Sequence, residues 1–501
     1  MDNKKTNVLL IMSDDHGHWA MGCSGNKEII TPHLDRLAEN GIRFENFFCT
    51  SPVCSPARAS LFTGKIPSQH GIHDWIHKGH MSECEIEEKL KAKLYEENSG
   101  WEYDWPKKQI KQDVGMQYLK GHKLFTEILN EQGYECGLVG KWHLGDSGNP
   151  QGGFSYWRTM AMGGDNYYYP IVLEDGKFVM NKETYITDYI TEEANKFISS
   201  ERDKEKPFYL SVHYTAPHAP WNKEQHPSEV YKLYEECPFE SVPCDVLHPW
   251  GDVKGKTDEE HRKLHREYLQ GYYTAITAMD KSIGSLLDTL EQEGVLENTL
   301  IIFTGDNGMS MGHHGIYGKG NGTFPMNMYD TAVKVPMIMS LIGKVPSQKV
   351  AMQLLGHYDF APTLLDYLNI EERLGENLPG SSFADILRGE EDKGREDVVI
   401  MDEYGPVRMI RTKDWKYIHR YPYGPHELYH LIQDPDEKIN LIDEENYKEI
   451  LVELRGRLTN WFNQYVNPTV DGKCEAVTGK GQIGLVGVKS KGKQAFRNLY
   501  I

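Results

Sequence analysis

Short apolar runs that lack polar alternation and stop abruptly at acidic or amide residues constrain this chain more than any other feature. NVLLIM (7–12) runs into Ser13-Asp14-Asp15, and TLIIFTG (299–305) runs into Asp306-Asn307-Gly308. Runs of this length without a polar face belong to strands buried on both sides, the situation of a parallel sheet covered by helices. Helical patterns fall between the strand-like segments. TPHLDRLAENG sets Thr31 as N-cap, Pro32 at the first helical position and Gly41 beyond the end. A helix begins after Pro56, another covers HKLFTEILNEQG, a long one runs from Asp258 to Gly294, and a further one covers YDFAPTLLDYL. Strand-like IRFENFF, YECGLVG, PFYLSVHY and VPMIMSLI alternate with them. The alternation predicts an α/β fold with a large, mostly parallel central sheet and helices on both faces.

The charge-rich EEDKGRED after Gly389 marks a boundary. Residues 1–389 are expected to form the catalytic α/β domain, with polar, weakly periodic inserts at about 77–119 and 221–255. Residues 390–466 read as a small α+β unit, an antiparallel sheet and then one helix near Asn446–Tyr465. Residues 467–501, rich in Gly and Lys, read as an extended tail that is free, drapes over the domain, or reaches a neighbouring subunit of a homo-oligomer. With 55 basic and 74 acidic residues the net charge is −19, which argues against nucleic-acid and anionic-membrane partners. An anionic substrate would need a local cationic pocket. The first residues lack a secretory apolar core, and no stretch approaches the roughly 18 apolar residues of a membrane span. A soluble, cytoplasmic protein is expected, unless an export leader has been removed. Eight cysteines, without CxxC pairs, read as reduced thiols.

Polar residues gather where the apolar runs end, and open α/β sheets place ligands at the carboxyl ends of their strands. Alone, Asp14-Asp15 reads as a solvated acidic turn, and Asn307-Gly308 as a hairpin turn. The stretch after Gly308, MSMGHHGIYGKG, does not read as a returning strand. Together, Asp14, Asp15, Asp306 and Asn307 make a hard, all-oxygen set suited to Ca²⁺ or Mg²⁺. Lys141 and His143 in GKWHLG, His218 in APHAP, and His313, His314 and Lys319 in HHGIYGKG add cationic groups after strands. Any one histidine is ordinarily a packed or surface residue; their recurrence argues for a site. In CTSPVCSPARASLFTGK, the helix start at Pro56 puts Cys54 and Ser55 at a helix N-terminus, where an anion is favoured. Arg58, one turn in, can reach back with a fork of donors.

CSPAR with LFTGK behind it resembles the C-x-P-x-R signature of type I sulfatases of the alkaline phosphatase superfamily, in which the cysteine is oxidised to formylglycine. The early DD, GKWHLG, the PH after a strand, DNG and a Lys before a VP strand occur in the family's order. ELYHLIQDPDEKINLID resembles its C-terminal segment, and the similarity covers residues 6–465. The resemblance implies a sulfuric ester hydrolase. It implies that Asp14, Asp15, Asp306 and Asn307 bind a divalent cation, usually Ca²⁺, alongside the modified Cys54. Arg58 and Lys141 would steady the hydrated aldehyde and the sulfate. His143 would stand near the aldehyde hydroxyl that departs from sulfate, and His218 and Lys319 would bind the ester and help protonate the leaving oxygen. A formylglycine-generating maturation enzyme is implied as partner, of the anaerobic radical type. A hydrated aldehyde suits the chemistry because one hydroxyl attacks sulfur and deprotonation of the other later releases sulfate.

The chain departs from the family pattern at NMYDTAVKVP, with Tyr329-Asp330 and Lys334 where Tyr-Glu and Arg-Val-Pro are frequent. The expected substrate is a sulfated carbohydrate, held by Lys141, His218 and Lys319 and stacked on Trp101 and Trp105 of ENSGWEYDWP; the alternative for these tryptophans is packing of the insert onto the core. Two other readings stay open: a phosphonate monoester hydrolase or phosphodiesterase of the same superfamily, and a non-catalytic protein that binds sulfated glycans.

Overall fold

The computed structural model describes residues 4–95, 114–181, 184–391, 394–403 and 406–497. Its centre is an eight-stranded mixed sheet built from β1 (Asn7–Ser13), β2 (Ile42–Phe44), β3 (Glu135–Gly140), β4 (Tyr156–Thr159), β5 (Phe208–His213), β6 (Thr299–Gly305), β7 (Met337–Ser340) and β8 (Lys349–Ala351). The order across the sheet is β8-β2-β7-β6-β1-β5-β3-β4. Every pairing is parallel except the two made by β7. Along β1, Val8, Leu10 and Met12 face one core while Leu9 and Ile11 face the other. Both faces are sealed, so the run has no need of polar alternation.

The helices that position the site are α1 (Pro32–Glu39), α2 (Cys54–Thr63), α3 (Phe125–Glu131), α4 (Ile186–Lys196), α5 (Asp258–Gln292) and α6 (His357–Tyr367). Helices α1, α4 and α5 cover the Leu9/Ile11 face, and α2, α3 and α6 cover the other. Thr31 occupies the N-cap of α1 but makes no capping bond, because its hydroxyl donates to Asp35 instead. Asp280 of α5 does that work, accepting the His33 and Leu34 N–H groups at 3.1 and 2.8 Å. IRFENFF is broken rather than continuous: β2 ends at Phe44, and Phe47–Phe48 pairs separately with Leu355–Gly356.

Beyond Gly389, β9 (Asp397–Asp402), β10 (Val407–Thr412), β11 (Trp415–Arg420) and β12 (Glu427–His430) form an antiparallel sheet in chain order. Helix α7 (Lys448–Tyr465) packs across it through Leu454, Leu458 and Phe462. The tail then turns back over the larger unit. Asp471 pairs with Arg408 at 2.6 Å. The Gln482 N–H donates to Trp75 O, and the His77 N–H donates to Gln482 O, each at 2.8 Å. The eight cysteines form no disulfide. Among the described residues, no helix is long and apolar enough to cross a membrane.

Candidate active site

The parallel register brings the strand ends together: Ser13 lies opposite Gly305, and both Met12 and Gly140 lie opposite His213. The residues just beyond these ends must therefore converge, and Asp14, Asp15, Asp306, Asn307, Lys141 and His143 all lie buried there. Helix α2 supplies the remaining wall. All ten of its residues are buried, although Ser55, Arg58, Ser60 and Thr63 are polar. Each finds a partner, which makes burial tolerable: Ser55 donates to His143 O, Ser60 meets His70, Thr63 donates to Ala59 O, and Arg58 meets Asp306.

Cys54 Sγ and one oxygen from each of Asp14, Asp15 and Asp306 lie within 4.8 Å of one another. The thiol is 3.4 Å from Asp14 Oδ1. Lys319 Nζ reaches Cys54 Sγ at 2.8 Å and Asp15 Oδ1 at 2.5 Å, and Lys141 Nζ forms an ion pair with Asp14. Arg58 donates from Nε to Asp306 Oδ2 at 2.9 Å and from Nη1 to Lys141 O at 2.8 Å. His218 Nε2 stands 3.7 Å from Asp15 Oδ2, with its side chain 26% exposed. Asp15 and His143 both adopt positive φ, +59° and +55°. For non-glycine residues these are sparsely populated conformations that the surrounding fold has to impose. Gly163 makes room for the His143 imidazole, since a Cβ there would lie 2.1 Å from the ring.

Burial and the neighbouring Asp306 carboxylate push the Asp14 pKa up. Burial acts the same way on Asp15, but Lys319 and His218 outweigh it and hold Asp15 below the usual carboxylate range. Asp306 is likewise held down by Arg58 and Lys141 against burial. Burial and Asp14 push the Cys54 thiol up to about 12, so the unmodified residue is a neutral thiol and a poor nucleophile. Burial, then Lys141, keeps His143 well below the ordinary histidine value. Asn307 Oδ1 is buried without a hydrogen-bond partner among the described residues. Three carboxylates and an unsatisfied amide oxygen are the donor set of a hard divalent cation, so the residues present fit the metal expected here.

A cavity of about 340 Å³ opens above this ring, lined by Cys54, His143, His218 and Lys319. Its other walls were not foreseen from the sequence: Trp75, Ile76 and His77, Asp165 after the Gly163-Gly164 pair, Asn321, and Arg497 from the tail. The signals were a Trp within the histidine-rich HGIHDWIH and a Gly-Gly-Asp turn, but none points inward without the tertiary structure. Trp101 and Trp105 lie outside the described residues. His313 and His314 face a different cavity, together with Asp330 and Lys334. The departure at Asp330 is therefore away from the Cys54 cavity, and Asp330 pairs with Lys416 at 2.6 Å and Arg411 at 3.3 Å.

This sheet, its carboxylate ring and the small C-terminal sheet are those of the alkaline phosphatase-like superfamily. The Sulfatase family pattern matches residues 6–370, and the chain belongs to that family, as an enzyme that hydrolyses sulfate esters. The C-terminal pattern of N-sulphoglucosamine sulphohydrolase matches residues 312–464. An N-acetylglucosamine-6-O-sulfatase of Bacteroides thetaiotaomicron is 26% identical over 96% of this chain and 90% of its own length. An ulvan-active sulfatase of Formosa agariphila is 26% identical over 91% of this chain and 80% of its own. A solved structure in complex with its substrate D-glucosamine-2-N,6-O-disulfate superimposes with a TM-score of 0.74 at 25% identity, covering 94% of this chain and 100% of the other.

Proposed function

We propose that the protein removes O-sulfate from a carbohydrate, using a formylglycine made from Cys54 and a Ca²⁺ ion held by Asp14, Asp15, Asp306 and Asn307. The observation that carries this reading is Cys54 at the floor of a cavity, enclosed by three buried carboxylates and by Lys141, Lys319 and Arg58. When present, the cation supplies Lewis acidity toward the ester and the aldehyde supplies the attacking oxygen. Converting Cys54 also replaces the one sulfur in the donor set by oxygen, which suits a hard ion.

The chain's own side chains do the rest. Lys141 and Lys319 are already bound to ring carboxylates, and their ammonium groups stand beside the reacting centre to offset charge on the ester oxygens. Arg58 fixes Asp306 and the Lys141 backbone together, which holds two strand ends in one geometry. His143 donates through Nε2 to Ile76 O at 3.0 Å, so the neutral ring keeps a lone pair on Nδ1 and can take up a proton. His218 holds Ala219 O through Nδ1 at 2.7 Å and turns Nε2 toward Asp15 on the cavity side, where a protonated ring can give its proton to the leaving oxygen. Trp75 offers the aromatic wall that a sugar ring needs. The sugar specificities named for the relatives support a carbohydrate, and the CSPAR signature supports maturation by a radical-type formylglycine-generating enzyme.

Protein co-produced with such an enzyme should show, in the Cys54 tryptic peptide, the mass change of a thiol converted to an aldehyde, and should release sulfate from sulfated sugars. A thiol left unmodified beside a competent maturase would overturn the mechanism. Release from an aryl sulfate but from none of the sugars would overturn the substrate class.

A further inference from the structure

The C-terminal segment is anchored along the cavity wall at many points. Besides its two backbone bonds to Trp75 and His77, Gln482 uses its side chain: Oε1 accepts the His73 N–H and Nε2 donates to Gly71 O, each at 3.0 Å. Gly481 permits this approach. Its φ is +105°, and a Cβ there would lie 2.6 Å from the His77 Cβ. The strap then doubles back. Ile483 donates to Ala495 O at 2.7 Å, Arg497 donates to Gly481 O at 3.2 Å, and Phe496 is only 4% exposed. The backbone of Arg497 is thus fixed over the Trp75–His77 wall, and its side chain lines the same cavity as Cys54.

Charge makes this placement informative. Lys319 is committed to Asp15 and Cys54. His77 is neutral, because burial and then Arg497 hold it down to about 3. Arg497 forms no side-chain hydrogen bond or ion pair with a described residue, in a chain that carries 74 acidic groups. A half-buried guanidinium with an open fork of donors is built for an oxyanion.

We infer that Arg497 is a specificity-determining residue that binds a second anionic group of the substrate, a carboxylate or a further sulfate, on the same molecule as the sulfate ester that is cleaved. The inference rests on the carbohydrate sulfatase reading above and narrows it to polyanionic sugars.

Binding can be measured apart from turnover in the full chain with Cys54 left as the thiol and Ca²⁺ supplied. Three probes suffice for calorimetry: N-acetylglucosamine 6-O-sulfate, D-glucosamine-2-N,6-O-disulfate, and a 6-O-sulfated disaccharide that carries a uronate. Wild type should prefer at least one dianionic probe over the monosulfate. In Arg497→Ala that preference should fall by about 10- to 100-fold, and the probe affected says whether the anion is sulfate or carboxylate. Arg497→Lys should keep part of it, since the charge stays and the fork is lost. An unchanged ratio for both dianionic probes in Arg497→Ala, or no preference in wild type, overturns the assignment. Release of sulfate by the formylglycine-bearing enzyme from an aryl sulfate but from no sulfated sugar, these three included, would overturn the carbohydrate reading while leaving the binding ratios legible.

Discussion

Arg58 is a fully buried guanidinium whose compensation is local: Asp306 on Nε and a backbone carbonyl on Nη1. Truncating it removes the cation that contacts the buried Asp306 carboxylate directly and leaves it beside two other carboxylates, so Arg58→Ala should destabilise the protein by about 3–5 kcal/mol, read from urea unfolding. Arg58→Lys should recover little of that, because one ammonium cannot span both partners. Unfolding midpoints equal to wild type would show that the pair is not structurally needed. Asp165 poses the opposite case. Burial pushes its carboxyl up to about 7, although the Ile171 and Asn166 N–H groups favour the charged form. Below that value the group is neutral, and above it the cavity wall carries a negative charge facing an anionic substrate. Affinity for a sulfate ester should therefore decline as pH rises through about 7, and Asp165→Asn should flatten that limb of the KM profile. A limb that persists in the variant would assign the titration elsewhere.

Helix α5 shows how an element far from the chemistry shapes it. The Tyr272 hydroxyl donates to Asp15 O at 2.8 Å and accepts the Gly17 N–H at 2.9 Å, clamping the turn in which Asp15 holds its positive φ. Tyr272→Phe leaves a buried donor and a buried acceptor unpaired, at a cost of about 1–3 kcal/mol. It should also weaken binding of the divalent cation proposed for this site by about 10-fold, as loss of a supporting hydrogen bond does at other metal sites. A calorimetric affinity for that cation, probed with Ca²⁺ and with Mg²⁺, equal to wild type would refute this clamping role. The elements themselves were legible in the sequence where one cause dominates. NVLLIM and TLIIFTG announce buried strands because both faces are covered, and the carboxylates stand directly at their ends. Pro56 announced a helix and with it the placement of Cys54 and Arg58. What could not be read was which loops meet the strand ends. Trp75 and Asp165 lie in irregular segments and Asn321 in a single 3-10 turn, Gly320–Gly322, none with a readable periodicity, and only the fold brings them to the cavity.

At the scale of the whole molecule, the chain end is part of the enzyme's wall. Its Gly/Lys-rich composition hides this, because the strap is held by backbone bonds and by Gln482 rather than by an apolar pattern. A globally acidic protein acting on an anion depends on a few fixed cations near the centre, and a long-range field of the wrong sign raises the need for them. A chain ended after Glu475 would keep the Arg408–Asp471 pair but lose Gln482, Val486 and Phe496, all buried. The backbone of His73, Trp75 and His77 would lose its Gln482 partners, and the His73 ring would lose its contact with Phe496. Tm should fall, and kcat/KM on a sulfated sugar should fall by at least about 10-fold, with most of the change in KM, since the strap touches the wall and not the carboxylate ring. Should the truncated chain melt and turn over like the full one, the strap is only an ornament of the fold and the wall stands without it. Should kcat collapse with KM unchanged, the strap acts on the ring itself, through His143 and its bond to Ile76 O.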